Sequence, residues 1–98
     1  MAAQTAINTQ HATLTGTTAD SITFSGNGSF LCVTNRDATN TLYFTFNGVT
    51  AVAAADETFV VLPLSSKTIG PGRFGGGGGN AVVSVVANGG GYSAEIYG

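Results

Sequence analysis

The chain has 98 residues, the length of one domain, and only 8% of them are charged. An average globular domain has about 25% charged residues, and here glycine and small polar residues take their place. Three Lys and Arg residues and a net charge of −2 exclude the clustered phosphate contacts of a nucleic-acid-binding protein. A soluble monomer with so few charged residues is poorly protected against association. The low charge therefore indicates that other protein covers part of the surface.

The first ten residues have neither a targeting signal nor the pattern of a packed element. They contain no basic residue and no apolar core, so no secretory signal is predicted. No apolar run in the chain approaches the length of about 18 residues that a membrane span needs. Ordering a residue costs about 1–2 kcal/mol of backbone entropy, which the few apolar side chains here cannot offset. We therefore predict an extended N-terminal arm at residues 1–10, ordered by docking on a neighbouring subunit, and a single domain at residues 11–98.

Alternating apolar and polar residues predict short β-strands through the first half of this domain. The first two strands are expected at residues 11–15 and 21–25. A central pair of strands follows. The first, at residues 30–34, is apolar on both faces, and the second, at residues 42–46, alternates strictly between apolar and polar residues. The polar sequence NRDATN that joins them is typical of turns.

Further strands are predicted at residues 59–64, 67–69, 81–87 and 92–97, whereas the glycine-rich residues 70–80 are expected to form a flexible loop. Seven or eight short strands with turn signals between them predict an all-β sandwich, either immunoglobulin-like or jelly-roll-like. The residues that point inward in this scheme form the predicted core: Leu14, Ile22, Phe24, Leu31, Val33, Leu42, Phe44, Phe46, Val61, Val83, Val85 and Ile96.

No arrangement of residues supports catalysis, so we do not predict an enzyme, and we expect no cofactor. Gly70, Gly72 and Gly75 match the spacing G-x-G-x-x-G, but that motif binds a nucleotide only where a helix follows it. The single histidine, His11, could act as the base of a serine hydrolase only beside a nucleophilic serine, and the chain has no G-x-S-x-G motif. Together with the single cysteine, His11 provides too few ligands for a zinc site. Cys32 lies in an apolar strand, which is typical of a packed, inert thiol.

Two loop features leave alternatives open. Asp56 and Glu57, with Asp37 brought near by folding, have the ligand chemistry for a weak calcium site, but the spacing of a calcium loop is absent and solvated acids are commoner. Arg73 and Phe74 either form a partner-binding tip, since arginine and aromatic residues are enriched at interfaces, or Phe74 folds back on its own domain. The predicted protein interface combines this tip with apolar residues of the arm: Ala2, Ala3, Ala6, Ile7, Arg73 and Phe74.

The central sequence combines several short motifs in a fixed order. A strand ending in V-x-N is followed by a polar loop, then by an L-Y-F strand ending in Asn-Gly, and then by an acidic segment with T-F-V-V-L-P. The residues that carry this pattern are Val33, Asn35, Leu42, Tyr43, Phe44, Asn47, Gly48 and residues 56–63. In this pattern, residues 11–70 resemble small β-sandwich virion proteins of tailed bacteriophages, notably those of actinobacterial hosts. The glycine run has no counterpart in the pattern.

The resemblance implies a structural role in a virion. The leading hypothesis is a capsid decoration (cement) protein that is made in the bacterial host cytoplasm and binds the major capsid protein on the outer surface of a phage head as a homotrimer. One alternative is a tail, baseplate or fibre module, present in a few copies instead of hundreds. Another is a carbohydrate-binding sandwich, for which Tyr92 and Tyr97 are candidate platforms, although the chain has no Trp.

Overall fold

The computed structural model describes residues 2–46, 50–53, 58–76 and 81–98, and of residues 2–4 only the backbone. Within these ranges the chain is all-β, without a helix, so the predicted fold class is confirmed. The strands are β1 (Ala2–Ala6), β2 (Thr9–Leu14), β3 (Asp20–Phe24), β4 (Asn27–Gly28), β5 (Phe30–Asn35), β6 (Leu42–Thr45), β7 (Phe59–Val61), β8 (Ser66–Ile69), β9 (Phe74–Gly75), β10 (Val82–Val86) and β11 (Gly90–Tyr97).

The strands form two main sheets and one small ribbon. Sheet A has the order β1-β3-β10-β6-β7, sheet B has the order β2-β11-β5-β8, and β4 pairs with β9 in the ribbon. Apart from β6 and β7, strands that follow each other in the chain lie in different sheets. Without β1 and the ribbon, two four-stranded sheets remain, β3-β10-β6-β7 and β2-β11-β5-β8. This alternation is the topology of a double-sheet jelly roll.

One hydrophobic core fills the space between the sheets. Of the twelve predicted core residues, all but Phe46 are buried. Phe46 is half-buried and packs against Phe59 and Phe74, with ring centroids 5.5 Å away in both cases. Since burying a large apolar side chain stabilises the fold by about 1.5–3 kcal/mol, these residues supply much of the driving force for folding.

A buried polar pair crosses this core. Tyr92 on β11 is fully buried, and its hydroxyl donates a hydrogen bond of 2.9 Å to the Asp20 carboxylate at the start of β3. Asp20 is itself only 3% exposed. The bond therefore joins sheet B to sheet A where apolar packing alone could not satisfy either group.

The N-terminal residues belong to the sandwich. Strand β1 pairs in parallel with β3 of the same chain, from Ala2 opposite Asp20 to Ala6 opposite Phe24. The Ser25 amide extends the pairing by donating to the Ala6 carbonyl at 2.9 Å. Backbone hydrogen bonds to a sheet edge thus supply the order that the small side chains cannot, and an extended arm at residues 1–10 is not confirmed. Strand β2 also starts at Thr9, inside the predicted arm.

The sandwich has two chemically different ends. Strands β5 and β11 are antiparallel, with Asn35 opposite Tyr92 at one end and Phe30 opposite Tyr97 at the other. We call the first the asparagine end, which comprises residues 15–19, 35–41, 62–65 and 87–91. The second, the glycine end, comprises residues 7–8, 25–30, 70–76 and 97–98.

Candidate interaction surfaces

A buried asparagine organises the asparagine end. Asn35 is 1% exposed, and its side-chain amide donates to the carbonyls of Asn40 at 2.7 Å and Val61 at 3.2 Å. Its side-chain oxygen accepts the Asp37 amide at 3.0 Å. These bonds hold the β5–β6 connection against the end of β7, so the polar sequence predicted as a turn is a rigid structure.

Asp37 continues this network. Its carboxylate accepts the backbone amides of Asn40 and Thr39, and these bonds lower the pKa of Asp37 below its usual value of 3.8. Its backbone carbonyl accepts the Leu64 amide at 3.1 Å. The neighbouring Arg36 side chain donates to two carbonyls, those of Ala12 and Tyr92, both at 3.1 Å. The β5–β6 connection thereby fixes the positions of β2, β11 and the β7–β8 turn.

The β7–β8 turn exposes two leucines. The Ser65 amide donates to the Leu62 carbonyl at 3.1 Å and closes a turn with Pro63 at its second position. Leu64, at the third position, has a φ of 57°, in the left-handed region. Leu62 is 62% exposed and Leu64 is 70% exposed, so the turn presents a pair of apolar side chains, which we call the leucine knob.

The outer face of sheet A carries an apolar cleft. A small hydrophobic cluster of Ala19, Ala51 and Val86 is buried there, with Tyr43 packed against it. The Ala51 amide donates to the Ser84 hydroxyl at 2.9 Å, which holds residues 50–53 over the sheet. Beside this segment lies a cleft of about 630 Å³, and none of the described residues lining it is charged. The sequence pattern did not indicate this surface, because residues 50–53 lie between the strands predicted at residues 42–46 and 59–64.

The outer face of sheet B is polar instead. His11 on β2 and Ser93 on β11 are cross-strand neighbours, with 2.6 Å between the imidazole Nδ1 and the hydroxyl. Thr34 and Ser66 pair in the same way at 2.8 Å. His11 is exposed on this face. Cross-strand pairs of polar side chains such as these stabilise a solvated sheet face.

The glycine end is built by close backbone approach. The β4–β9 ribbon pairs Asn27 with Gly75 and Gly28 with Phe74. A Cβ on Gly28 would lie 2.6 Å from the Tyr97 backbone nitrogen, so only glycine fits there. Phe30 and Tyr97 stack at this end with ring centroids 5.4 Å apart.

The predicted interface residues separate into exposed and buried positions. Ile7 is 72% exposed at the glycine end, and Arg73 is exposed at the same end. Phe74 is only 4% exposed and belongs to the hydrophobic core, so it folds back on its own domain and does not form a partner-binding tip. Ala6 is half-buried against the core. Ala2 and Ala3 lie on edge strand β1, and their side chains are outside the described residues.

The remaining chemical motifs yield no site within the described ranges. Gly70, Gly72 and Gly75 precede no helix, and the prediction of a flexible loop is wrong for Phe74 and Gly75, which form β9. Asp56 and Glu57, the proposed calcium ligands, lie outside the described residues, and in the described ranges no three His, Cys, Asp or Glu residues are placed to hold a metal ion. The same ranges hold no helix of the length and hydropathy that a membrane span requires.

No protein-family model, curated protein or solved structure matches the chain. The similarity of residues 11–70 to phage virion proteins therefore stays an expectation from the sequence.

Proposed function

We propose that the protein is a structural component of a tailed-phage virion, namely a capsid decoration protein that binds the outside of the head as a homotrimer and stabilises it. The sequence pattern of residues 11–70 supports this proposal. The jelly-roll topology supports it by analogy, since viral capsid domains and lectins both use that architecture. Because one fold hosts many functions, the choice between them must come from the surfaces.

The observation that carries the proposal is the composition of the glycine end. Ile7 and Arg73 come from opposite halves of the chain, and the structure exposes both at this end. Gly26 links the two segments, because its amide donates to the Ile7 carbonyl at 2.9 Å and the neighbouring Asn27 pairs with Gly75. Exposed aliphatic and arginine side chains at one end of a domain are typical of a protein-binding surface. We therefore assign the glycine end as the surface that docks on the major capsid protein.

Beside the ribbon this end also has a polar cavity of about 320 Å³. Arg73, Asn27 and Ser29 are among the residues that line it. The cavity has room for one or two side chains of a partner, and the amide and hydroxyl groups offer hydrogen bonds to them. Since the surrounding backbone is packed too closely for side chains at Gly28, the patch is preorganised for binding.

The carbohydrate-binding alternative loses its sequence support. Tyr92 is fully buried and cannot form a sugar platform. Tyr97 is 44% exposed, but its ring stacks on Phe30. A saccharide site built on these two tyrosines is therefore not favoured.

Binding to phage heads tests the proposal directly. Heads assembled without this protein would be mixed with the purified chain and sedimented, and the bound copies would be counted by quantitative mass spectrometry. A decoration protein saturates at hundreds of copies per head. Saturation at a few copies would favour the tail, baseplate or fibre alternative, and the absence of binding to heads and tails alike would refute a virion role.

A matched pair of charge reversals tests the docking surface. Arg73→Glu at the glycine end is expected to weaken head binding by about tenfold or more, which corresponds to about 1.4 kcal/mol. Lys67→Glu is the control, because it makes the same charge change at an exposed residue of edge strand β8. Equal binding by both variants would show that the glycine end does not face the capsid.

A further inference from the structure

Leu64 occupies a backbone position that suits glycine. The third residue of a turn with Pro at its second position needs a positive φ, which is why Gly or Asn is usual there. Leu64 adopts a φ of 57° although its side chain clashes in the left-handed region. The side chain gains nothing in return from its own fold, because it is 70% exposed. A residue whose backbone is strained while its side chain is exposed indicates that the side chain contacts a partner outside the chain.

The leucine knob is held rigidly. The Leu64 amide donates to the Asp37 carbonyl at 3.1 Å, and the Asn35 amide donates to the Ser65 carbonyl at 2.9 Å. Pro63 restricts the backbone between the two leucines. Because the turn is ordered before any partner arrives, little conformational entropy is lost when the knob binds.

The same chain carries a surface that suits this knob. The cleft on sheet A is lined by small apolar side chains, including Ala51, Val52 and Val86, together with uncharged polar residues such as Asn40, and none of its described lining residues is charged. Leu62 and Leu64 do not line it, so the chain's own knob leaves the cleft open.

An apolar row of side chains connects the knob to the cleft. Val60, two residues before Leu62, is 46% exposed and pairs with Tyr43, which lines the cleft. Tyr43 in turn pairs with Val86 on β10. Val52 at the cleft is 61% exposed. A continuous apolar surface of this kind on a chain with few charges marks a protein-binding site.

We propose that the leucine knob of one copy inserts into the sheet A cleft of a second copy. The occupant is a second copy because knob and cleft match in their chemistry: both present mainly apolar surface, and neither has a charged residue among those described. Knob and cleft are different surfaces, so each copy can donate one and accept the other, and the contact repeats until a symmetric assembly closes. The proposal does not rest on the capsid-binding role, because the contact forms in the purified protein.

Sedimentation equilibrium of the purified protein tests this contact. The native chain is expected to associate at micromolar concentration. Leu64→Gly removes one of the two knob side chains and relieves the strained backbone, so it should weaken association at least about tenfold while the melting temperature of the fold stays equal or rises. Val52→Asp places a charge at the cleft and should weaken association to the same degree. Thr13→Asp, an exposed change on sheet B, is the control and should associate as the native chain does.

Mixing the two impaired variants gives a sharper test. The Leu64→Gly variant keeps an intact cleft, and the Val52→Asp variant keeps an intact knob, so one productive contact remains between them. The mixture should therefore form heterodimers that neither variant forms alone, and these should grow no larger. A native chain that stays monomeric at about 100 μM, variants that associate like the native chain, or a mixture without heterodimers would each overturn the proposal.

Discussion

The asparagine end and the glycine end close the same core by opposite means. At the asparagine end, side chains make the structure: Asn35 and Asp37 bond the backbone of their own connection and of neighbouring turns. At the glycine end, the absence of side chains makes the structure, because Gly28 and Gly75 let strands approach more closely than a Cβ would permit. The asparagine end depends on polar groups that find their hydrogen-bond partners within that end. The glycine end depends on the close packing of segments that are distant in the sequence.

This difference has a consequence for function. Polar hydrogen bonds at the asparagine end hold the leucine knob in place, whereas close backbone packing at the glycine end orders the segments that carry Ile7 and Arg73. The two proposed contacts, with a second copy and with the capsid, therefore use different parts of the molecule. A head-bound assembly can make both contacts at once.

The largest expected effect concerns the buried asparagine. Asn35→Ala leaves several backbone groups unpaired, among them the buried carbonyl of Val61, and we expect the free energy of unfolding to fall by about 3 kcal/mol. Asn88→Ala is the control, since Asn88 is exposed at the same end and should change stability by less than about 0.5 kcal/mol. Urea unfolding measures both. Equal, small effects would mean that the asparagine end is not held by this side chain.

A smaller effect is expected from the corresponding change at the glycine end. Gly75 has a φ of 79°, and a Cβ there would meet the Gly26 carbonyl oxygen and lie 2.7 Å from the Ile96 side chain. Gly75→Ala should therefore destabilise the fold by about 2 kcal/mol. Gly72→Ala is the matched control, because its Cβ would only touch the Phe74 ring at an ordinary 3.5 Å. Thermal or urea unfolding that ranks the two variants in the reverse order would contradict the assignment of close packing to β9.

The smallest effect distinguishes the two ends by pH. The pKa of Asp37 is lowered in the folded protein by the Asn40 and Thr39 amides, so its stabilising contribution is present above its usual value of 3.8. That contribution is lost as the pH falls through the lower, folded pKa. Asp37→Asn should therefore flatten the loss of stability between about pH 4 and pH 2, which urea unfolding across that range would detect. Gly75→Ala should leave the slope as it is in the native chain.

The strands and their inward residues were predictable because alternation is a local signal. It located Phe44 and Val85 correctly, although some β-strand ends differ by up to three residues. Strands β1, β4 and β9 were missed, since Ala2–Ala6 has no apolar alternation, Asn27–Gly28 is a turn dipeptide, and β9 lies within a run of glycines. These strands are held in place by backbone hydrogen bonds to strands that are distant in the sequence. A local sequence pattern does not reveal such a distant pairing partner.

The candidate surfaces were predictable only in part. Ile7 and Arg73 were expected at an interface and are exposed at one end, but the same expectation for Phe74 was wrong because a core position opposite Phe46 takes up its ring. The leucine knob could have been suspected from Leu-Pro-Leu, in which proline favours a turn and leaves leucines beside it. The cleft could not have been suspected from the sequence, because it forms where residues 50–53 cross the outer face of sheet A.

Hydrogen–deuterium exchange of the free and the head-bound protein tests the central claim most directly, because it reports which end meets the capsid. We expect binding to protect the amides of residues 7–8, 25–30 and 70–76 at the glycine end. Residues 62–65 and the cleft should exchange alike in both states, because self-association already covers them in the free assembly. Protection on the outer face of sheet B, or an unchanged glycine end in protein that is bound to heads, would contradict the account.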